Sequence, residues 1–277
     1  ENPIRLQTMT TTNTNSINES VEQCLRAIDA GAELIRLTTQ GVKEVESLAQ
    51  IKKIIREKGV NTPIVADIHF NPAAAIEAAK YADKIRINPG NYSDKSRTSN
   101  FSFTNSDYEA ELERAEKKFL ELLQVCKQNQ VTIRIGVNHG SLSQRIMNRY
   151  GDTPLGMAIS AMEFVRICSK YNHHLVVVSM KSSNTRVMVQ ASRYVVKMMV
   201  DEGFNYPMHL GVTEAGEGED GRIKSAVGIG TLLVDGIGDT IRVSLTEEPE
   251  NEIPVARELV NIFGNWPSHH IKYQGKI

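Results

Sequence analysis

Along the chain, a short apolar segment rich in β-branched residues is followed by an amphipathic helical pattern, and this pair repeats eight times. The apolar segments have the length of strands, and the patterns between them have the periodicity of helices. The predicted strands cover residues 5–9, 34–38, 64–68, 84–88, 132–137, 175–181, 208–213 and 240–245. The predicted helices cover residues 17–30, 42–58, 72–81, 108–128, 154–171, 184–201, 222–235 and 251–263.

This alternation is typical of two α/β architectures, the closed (β/α)8 TIM barrel and the open doubly wound sheet. The chain has 277 residues, and a barrel of this kind takes about 250 residues. The first strand is not followed by the glycine motif of a dinucleotide-binding fold, which disfavours the open sheet. We therefore predict an α/β fold in which residues 1–263 form a TIM barrel with a polar insertion after strand 4.

The polar insertion covers residues 91–107 and is rich in Asn, Ser and Thr. Long segments without secondary structure are uncommon in compact domains and are often functional. A lid over the barrel mouth and a tolerated surface insertion are both open interpretations. Residues 264–277 show neither helical nor strand periodicity and are predicted to be a truncated linker or the start of a further domain.

Composition excludes several classes of function. With 32 Lys and Arg against 33 Asp and Glu, the net charge is −1, so nucleic-acid binding through bulk positive charge is not expected. No apolar run reaches the roughly 18 residues of a membrane span, and no signal-peptide pattern opens the chain. Cys24, Cys126 and Cys168 lack disulfide or metal-site spacing and are predicted to be buried small hydrophobes in a reducing compartment.

Five cations stand late in five of the predicted strands. The active sites of TIM barrels form at these carboxyl-terminal strand ends, so inward-facing cations would converge there. At these strand ends only Asp67 and Glu214 offset the five cations. This leaves a charge of about +3, which predicts a compact, highly charged anion such as a diphosphate. Each cation alone would suit a surface salt bridge, but five at one place of the repeat favour an anion site. They are Arg36, Arg86, Arg134, Lys181 and Arg242.

Other polar residues accompany these cations at the strand ends. Glu214 is a candidate general acid or base, although pairing with an arginine would explain it equally well. His69 and His209 could donate to phosphate or serve as satisfied core residues, and Asp67 is predicted to orient arginines. Neutral hydrogen-bond donors to the anion are predicted at Asn88, Asn138 and Ser244.

Residues 216–221, Gly-Glu-Gly-Glu-Asp-Gly, match the GxGxxG pattern of nucleotide sites. In such a site the backbone N–H groups must face a pyrophosphate, and three acidic side chains within the motif would repel it. We therefore predict a mobile glycine loop beside Glu214 rather than a nucleotide site.

Five longer motifs carry a resemblance to a known family. They are Val-Ala-Asp-Ile-His-Phe (65–70), Arg-Ile-Asn-Pro-Gly-Asn (86–91), Arg-Ile-Gly-Val-Asn-His-Gly-Ser-Leu (134–142), His-Leu-Gly-Val-Thr-Glu-Ala-Gly (209–216) and Gly-Asp-Thr-Ile-Arg-Val-Ser-Leu (238–245). Together they closely resemble the 4-hydroxy-3-methylbut-2-enyl diphosphate synthases, in the longer form found in plants and some bacteria. The resemblance covers the chain from Pro3 to about Phe263.

The resemblance implies the reductive ring opening of 2-C-methyl-D-erythritol 2,4-cyclodiphosphate in isoprenoid biosynthesis. It implies that Glu214 is the acid/base candidate near the ring. The diphosphate would be held by Arg36, Arg86, Asn88, Arg134, Asn138, Lys181, Arg242 and Ser244.

The resemblance also implies components that this sequence does not supply. Electrons would arrive from ferredoxin or flavodoxin through a [4Fe–4S] cluster, held by three cysteines and a glutamate of a separate C-terminal domain, contributed by a partner subunit. We therefore expect the chain to be the substrate-binding barrel alone, which binds the cyclic diphosphate without turning it over. A bacterial protein of this kind is expected in the cytoplasm and a plant one in the plastid.

Two other functions stay open. Lys181 ends strand 6, a position that suits the Schiff-base lysine of an aldolase-type barrel, and the arginines would then bind a sugar phosphate. Alternatively, the chain is a non-catalytic interaction module whose open barrel mouth docks another domain.

Overall fold

The computed structural model describes residues 3–68, 71–92 and 104–263. The strands are β1 (Arg5–Met9), β2 (Leu34–Thr38), β3 (Ile64–Asp67), β4 (Lys84–Ile87), β5 (Thr132–Asn138), β6 (Val176–Lys181), β7 (His209–Leu210) and β8 (Thr240–Ile241). The helices are α1 (Ile17–Asp29), α2 (Val42–Glu57), α3 (Pro72–Ala78), α4 (Asn105–Gln128), α5 (Gln144–Tyr150), α6 (Pro154–Lys170), α7 (Thr185–Asp201), α8 (Gly218–Val234) and α9 (Pro249–Phe263). A short 3-10 helix (Pro89–Tyr92) follows β4.

The eight strands form one parallel sheet in the order β6-β5-β4-β3-β2-β1-β8-β7. Its two edges meet, because Val178 of β6 forms a parallel bridge with Met208 and donates its backbone N–H to the Pro207 carbonyl at 2.9 Å. The sheet therefore closes into a nearly complete barrel with helices outside it. The predicted (β/α)8 TIM barrel is confirmed, and the open-sheet alternative is wrong.

The apolar core lies between the strands and the surrounding helices. On β2, Ile35 and Leu37 are fully buried on the outward face, while Arg36 between them faces the barrel interior. On β5, Ile133 and Ile135 are likewise buried on either side of Arg134. Because successive side chains of a strand point to opposite faces, this alternation leaves charged residues inside the barrel.

Side-chain caps mark the start of several helices close to the positions that the sequence predicts. The Asn71 side chain accepts hydrogen bonds from the backbone N–H groups of Ala73 and Ala74 at 3.1 and 3.3 Å, which caps α3. The Thr153 hydroxyl accepts from Gly156 N at 3.0 Å and caps α6, and Asn184 caps α7 in the same way. Such caps satisfy the N–H groups that the first turn leaves unpaired.

The structure differs from the predicted elements in three places. Strands β7 and β8 are ladders of two residues, shorter than predicted. Beyond them the pairing continues only as single contacts, the Arg242 N–H bond to the Leu210 carbonyl at 2.9 Å and the Gly216–Leu245 bridge. Helix α5 was not predicted. Helix α8 begins at Gly218, so most of the glycine motif lies in its first turns and the predicted mobile loop is wrong there.

Three predictions fall wholly or mainly outside the described residues: the polar insertion after β4, His69 and the 264–277 tail. Among the residues described, each helix is too short or too polar to cross a bilayer. All three cysteines are free and buried, as predicted.

Candidate functional site

A cavity of about 820 Å3 opens at the carboxyl-terminal ends of the strands. Because each strand of a parallel barrel ends at the same rim, side chains from distant parts of the sequence meet there. Its walls contain seven of the residues predicted from sequence and several that were not. It is lined by Thr11, Arg36, Arg86, Asn138, Lys181, Thr213, Glu214, Gly216, Arg242, Ser244, Leu245, Thr246, Glu247 and Glu248.

Asp67 joins two of the arginines inside the barrel. Its side chain is fully buried, with Oδ1 at 3.3 Å from Arg86 Nη1 and Oδ2 at 3.5 Å from Arg36 Nε. Burial lowers the pKa of Arg36 to about 10, although the charge of Asp67 opposes that shift. Arg86 also donates from Nη2 to Asn138 Oδ1 at 2.9 Å. This geometry supports the role predicted for Asp67, which is to orient arginines.

Arg134 and Lys181 lack such compensation. They are 1% and 7% exposed, and neither forms an ion pair within the described ranges. Arg134 Nε and Nη1 are buried without a hydrogen-bond acceptor among these residues. Burial, reinforced by the neighbouring arginines, holds the pKa of both side chains well below its usual range. Lys181 lines the cavity, whereas Arg134 is buried behind the lining.

Arg242 is paired with a carboxylate that the sequence did not reveal. Its Nε and Nη2 donate to the two carboxylate oxygens of Glu252 at 3.2 and 3.1 Å. Glu252 lies on α9 and is 2% exposed, whereas Glu214, which was predicted to offset the cations, is exposed at the mouth. The five cations therefore face two buried carboxylates, Asp67 and Glu252, and about three positive charges remain unbalanced.

Two glycines make room for these long side chains. A Cβ atom at Gly136 would lie 2.5 Å from Arg86 Nε. One at Gly211 would lie 2.8 Å from Lys181 Nζ and 2.7 Å from the Arg242 carbonyl oxygen. Contacts below 3 Å are clashes. Glycine therefore leaves room for the Arg86 side chain to pass over β5 at Gly136 and for the Lys181 side chain to pass the backbone at Gly211.

The other predicted residues take different places. Ser244 lines the cavity. Asn88 instead holds the loop after β4, because its amide donates to the Ser141 carbonyl at 3.3 Å and its oxygen accepts from Gly90 N at 3.2 Å. His209 is buried, and its Nδ1 lies 2.9 Å from Thr240 Oγ1. Burial, with the charges of Arg134 and Lys181, holds the pKa of His209 well below its usual range.

Three glutamates at the cavity mouth form the acidic rim: Glu214, Glu247 and Glu248. Glu247 accepts from Arg222 of α8 at 2.6 and 2.9 Å, which ties the start of α8 to the segment after β8. Glu214 has a φ of +49°, a left-handed conformation that is uncommon for residues other than glycine and is often found at functional sites. The rim surrounds the cationic floor with carboxylates.

The described residues do not fit an iron–sulfur cluster. Cluster ligands are thiolates grouped around the metal, whereas the cysteines lie on α1, α4 and α6 and are buried. Burial raises the pKa of Cys24 and of Cys126 to about 12. Within the described ranges no group of three His, Cys, Asp or Glu side chains could hold a metal ion.

The fold and the cavity define a TIM-barrel domain with a cationic pocket at the strand ends. Residues 1–257 match the family model described as the GcpE TIM-barrel domain. The chain therefore belongs to this family.

Relatives of known name agree with this assignment. The chain is 59% identical over 261 residues to a 4-hydroxy-3-methylbut-2-en-1-yl diphosphate synthase (flavodoxin) from Phocaeicola vulgatus, covering 94% of this chain and 42% of that protein. It is 54% identical over 263 residues to a chloroplastic 4-hydroxy-3-methylbut-2-en-1-yl diphosphate synthase (ferredoxin) from rice, Oryza sativa subsp. japonica, covering 95% of this chain and 35% of that protein. The chain thus spans less than half the length of these relatives.

Solved structures share the fold at low identity. A sulfonamide complex of dihydropteroate synthase from Yersinia pestis has a TM-score of 0.57 at 10% identity, covering 94% of each chain. Dihydropteroate synthase from Stenotrophomonas maltophilia has a TM-score of 0.56 at 12% identity, covering 94% of this chain and 91% of the other. These likenesses show the barrel architecture alone.

Proposed function

We propose that this chain is the substrate-binding barrel of a 4-hydroxy-3-methylbut-2-en-1-yl diphosphate synthase and that it binds 2-C-methyl-D-erythritol 2,4-cyclodiphosphate. The observation that carries the proposal is the unbalanced positive charge around the cavity. Unpaired buried cations are costly for a protein, and a bound diphosphate would neutralise them. The names of the relatives give the product, 4-hydroxy-3-methylbut-2-en-1-yl diphosphate, and the family resemblance of the five sequence motifs implies the cyclic substrate.

In this proposal, Arg36, Arg86, Lys181 and Arg242 contact the phosphate oxygens from the cavity wall, with Asn138 and Ser244 as neutral donors. Arg134 lies behind that wall and reinforces the positive potential, and Asn88 shapes the loop after β4. His209 and Asp67 are assigned supporting positions around the anion, and His69 stays a candidate from the sequence alone. Glu214 stands at the mouth as the candidate proton donor or acceptor.

The redox part of the reaction lies outside the described residues. We infer that a [4Fe–4S] cluster held by another domain, from a partner subunit, delivers electrons from flavodoxin or ferredoxin, the donors that the relatives' names give. Residues 1–263 would be the unit that binds and orients the substrate. We infer a cytoplasmic location in a bacterium and a plastid location in a plant, where the rice relative is chloroplastic.

The experiment is a calorimetric titration of the purified chain with the cyclic diphosphate. We expect specific one-to-one binding without turnover. In Arg134→Met the affinity should fall about tenfold, because the change removes one of the unbalanced positive charges that attract the diphosphate from behind the cavity wall. Arg166→Met is the matched control, because that arginine is paired with Glu202 on the helical surface. Absence of binding by the unmodified chain would contradict the proposal.

A further inference from the structure

We propose that Glu252 is a positioning residue that fixes the orientation of Arg242 toward the bound diphosphate. The proposal rests on the proposed function, because it concerns how the same cavity distinguishes its ligand from other anions. Glu252 lies on α9 rather than at a strand end, and it does not line the cavity. It therefore acts through Arg242, which does.

Both oxygens of the Glu252 carboxylate are engaged by several donors. Oε2 accepts from Arg242 Nε at 3.2 Å and from the Thr8 hydroxyl at 2.7 Å. Oε1 accepts from Arg242 Nη2 at 3.1 Å and from the Leu245 backbone N–H at 3.1 Å. A buried carboxylate with this many partners is held in one position, and its two parallel bonds hold the guanidinium plane in turn.

The pairing with Glu252 leaves some N–H donors of Arg242 unused. A guanidinium has five N–H donors in a fixed fork, and Glu252 uses two of them. Arg242 Nη1 lies 3.4 Å from Met9 Sδ, which is a weak acceptor. Because Arg242 borders the cavity, the remaining N–H groups are available to a phosphate oxygen at a fixed angle.

Glu252 also bridges a part of the barrel where the backbone ladder is incomplete. The β1–β8 pairing consists of Arg5 with Thr240 and Leu6 with Ile241, so Arg242 lies beyond it. Glu252 spans the seam by contacting Thr8 on β1 and Arg242 on the chain that continues from β8. On the β1 side, these side-chain contacts thereby take the place of strand pairing, while on the other side Arg242 N still donates to the Leu210 carbonyl of β7.

A purely stabilising Glu252 would have different consequences from a positioning one. Glu252→Gln keeps the shape of the side chain and its amide oxygen, which can stay with Arg242 Nη2 and Leu245 N. Its NH2 group then faces the Arg242 Nε–H, and two donors cannot bond each other. Arg242 is left with one bond and is free to rotate, while the site gains positive charge.

The test measures the affinity for two anions, the cyclic diphosphate and inorganic pyrophosphate, by calorimetry on the whole chain. In Glu252→Gln, the preference for the cyclic diphosphate over pyrophosphate should fall roughly tenfold. The reason is the loss of one charge-assisted hydrogen bond that holds the Arg242 guanidinium at its angle. Pyrophosphate itself, which is small and can adapt, should bind as well as before or better. Thr8→Val and Glu258→Gln are controls that should keep the preference within about twofold.

Thr8→Val removes one support of Glu252 but leaves its charge and both bonds to Arg242, whereas Glu258→Gln removes an exposed charge from the same helix. An unchanged preference in Glu252→Gln would overturn the proposal. An equal loss of affinity for both anions in Glu252→Gln and Thr8→Val would also overturn it, because that result indicates that Glu252 only stabilises the fold.

A measurement without ligand separates this proposal from the proposed function. In the ligand-free chain, the Arg242 Nε–H proton should exchange slowly with water, as followed by 15N NMR, and should exchange fast in Glu252→Gln. The resonance is assigned by its absence from Arg242→Lys. If the unmodified chain does not bind the cyclic diphosphate, the proposed function fails. Slow exchange that persists in Glu252→Gln overturns the role of Glu252 whether or not the diphosphate binds.

Discussion

Arg145 and Arg134 are the two largest fully buried side chains of the described structure, and they differ in their carboxylate partners. Arg145 lies among helices, with Nη1 at 3.3 Å from Glu111 Oε1 and Nη2 at 2.5 Å from Glu163 Oε2. Glu163 also accepts from the Tyr108 hydroxyl. Burial alone would lower the pKa of Arg145, but Glu163 and Glu111 raise it.

Arg134, inside the barrel, has no carboxylate partner among the described residues, and burial with nearby arginines lowers its pKa. Both arginines are buried, so burial does not separate structure from function. The property that separates them is charge balance. A buried cation paired with carboxylates is part of the fold, whereas a buried cation without carboxylate partners is expected to bind an anionic ligand.

The largest effect is expected at Arg145. Arg145→Met would leave Glu111 and Glu163 buried without their cation, which should reduce the free energy of unfolding by about 3–5 kcal/mol. Urea denaturation measures this loss. The matched control is Arg149→Met on the same helix, an exposed arginine over the rings of Tyr108 and Tyr150, which should lose less than about 1 kcal/mol. Equal losses in the two variants would contradict a special role for the buried cluster.

A smaller effect, confined to binding, is expected at Gly136. In Gly136→Ala the new methyl group would meet Arg86 Nε at 2.5 Å, and the flexible arginine would move away from Asn138. We expect the affinity for the cyclic diphosphate to fall about tenfold, the value of one charged hydrogen bond. Gly41→Ala, at the start of α2, is the control. An unaltered affinity in Gly136→Ala would show that the position of Arg86 does not matter.

The last expected effect is at Lys84 and depends on pH. Burial, together with the charge of Arg134, lowers the pKa of Lys84 to about 8, whereas an unfolded lysine has a pKa of about 10.4. Below pH 8, Lys84 is protonated in both the folded and the unfolded state, so the full free-energy cost of burying its charge is present. Between the two pKa values the unfolded state binds more protons, so stability should rise with pH.

Lys84→Met should therefore flatten the rise in unfolding free energy between pH 8 and about 10, as followed by thermal and urea unfolding. The exposed Lys53, changed to Met, is the control and should leave the slope unchanged. A slope that survives in Lys84→Met would assign the rise to another group.

Much of the fold was predictable because its signals are local. Alternating apolar and polar residues fix both the strands and the inward direction of Arg36, and inward-facing cations at repeated strand ends predict an anion site. The caps Asn71 and Thr153 likewise act on residues next to them in sequence. These features need no knowledge of which strands become neighbours.

The parts that sequence reasoning missed depend on contacts between distant segments. Glu252 lies within an ordinary amphipathic helix, and it meets Arg242 and Thr8 together only because α9 packs across β8 and β1. Thr11 and Thr213 line the cavity, and Thr213 could have been noticed from its position before Glu214. Asn88 was predicted as a ligand from its strand-end position, but the loop conformation turns its amide to Ser141.

The most direct test of the central claim is the free energy of unfolding of ligand-free Arg134→Met relative to the unmodified chain, measured by urea denaturation. If Arg134 is an uncompensated cation kept for an anion, replacing it with a methionine should leave stability unchanged or raise it by about 1–2 kcal/mol. A loss of roughly 3 kcal/mol or more, as expected for Arg145→Met, would mean that Arg134 serves the fold and would contradict the account.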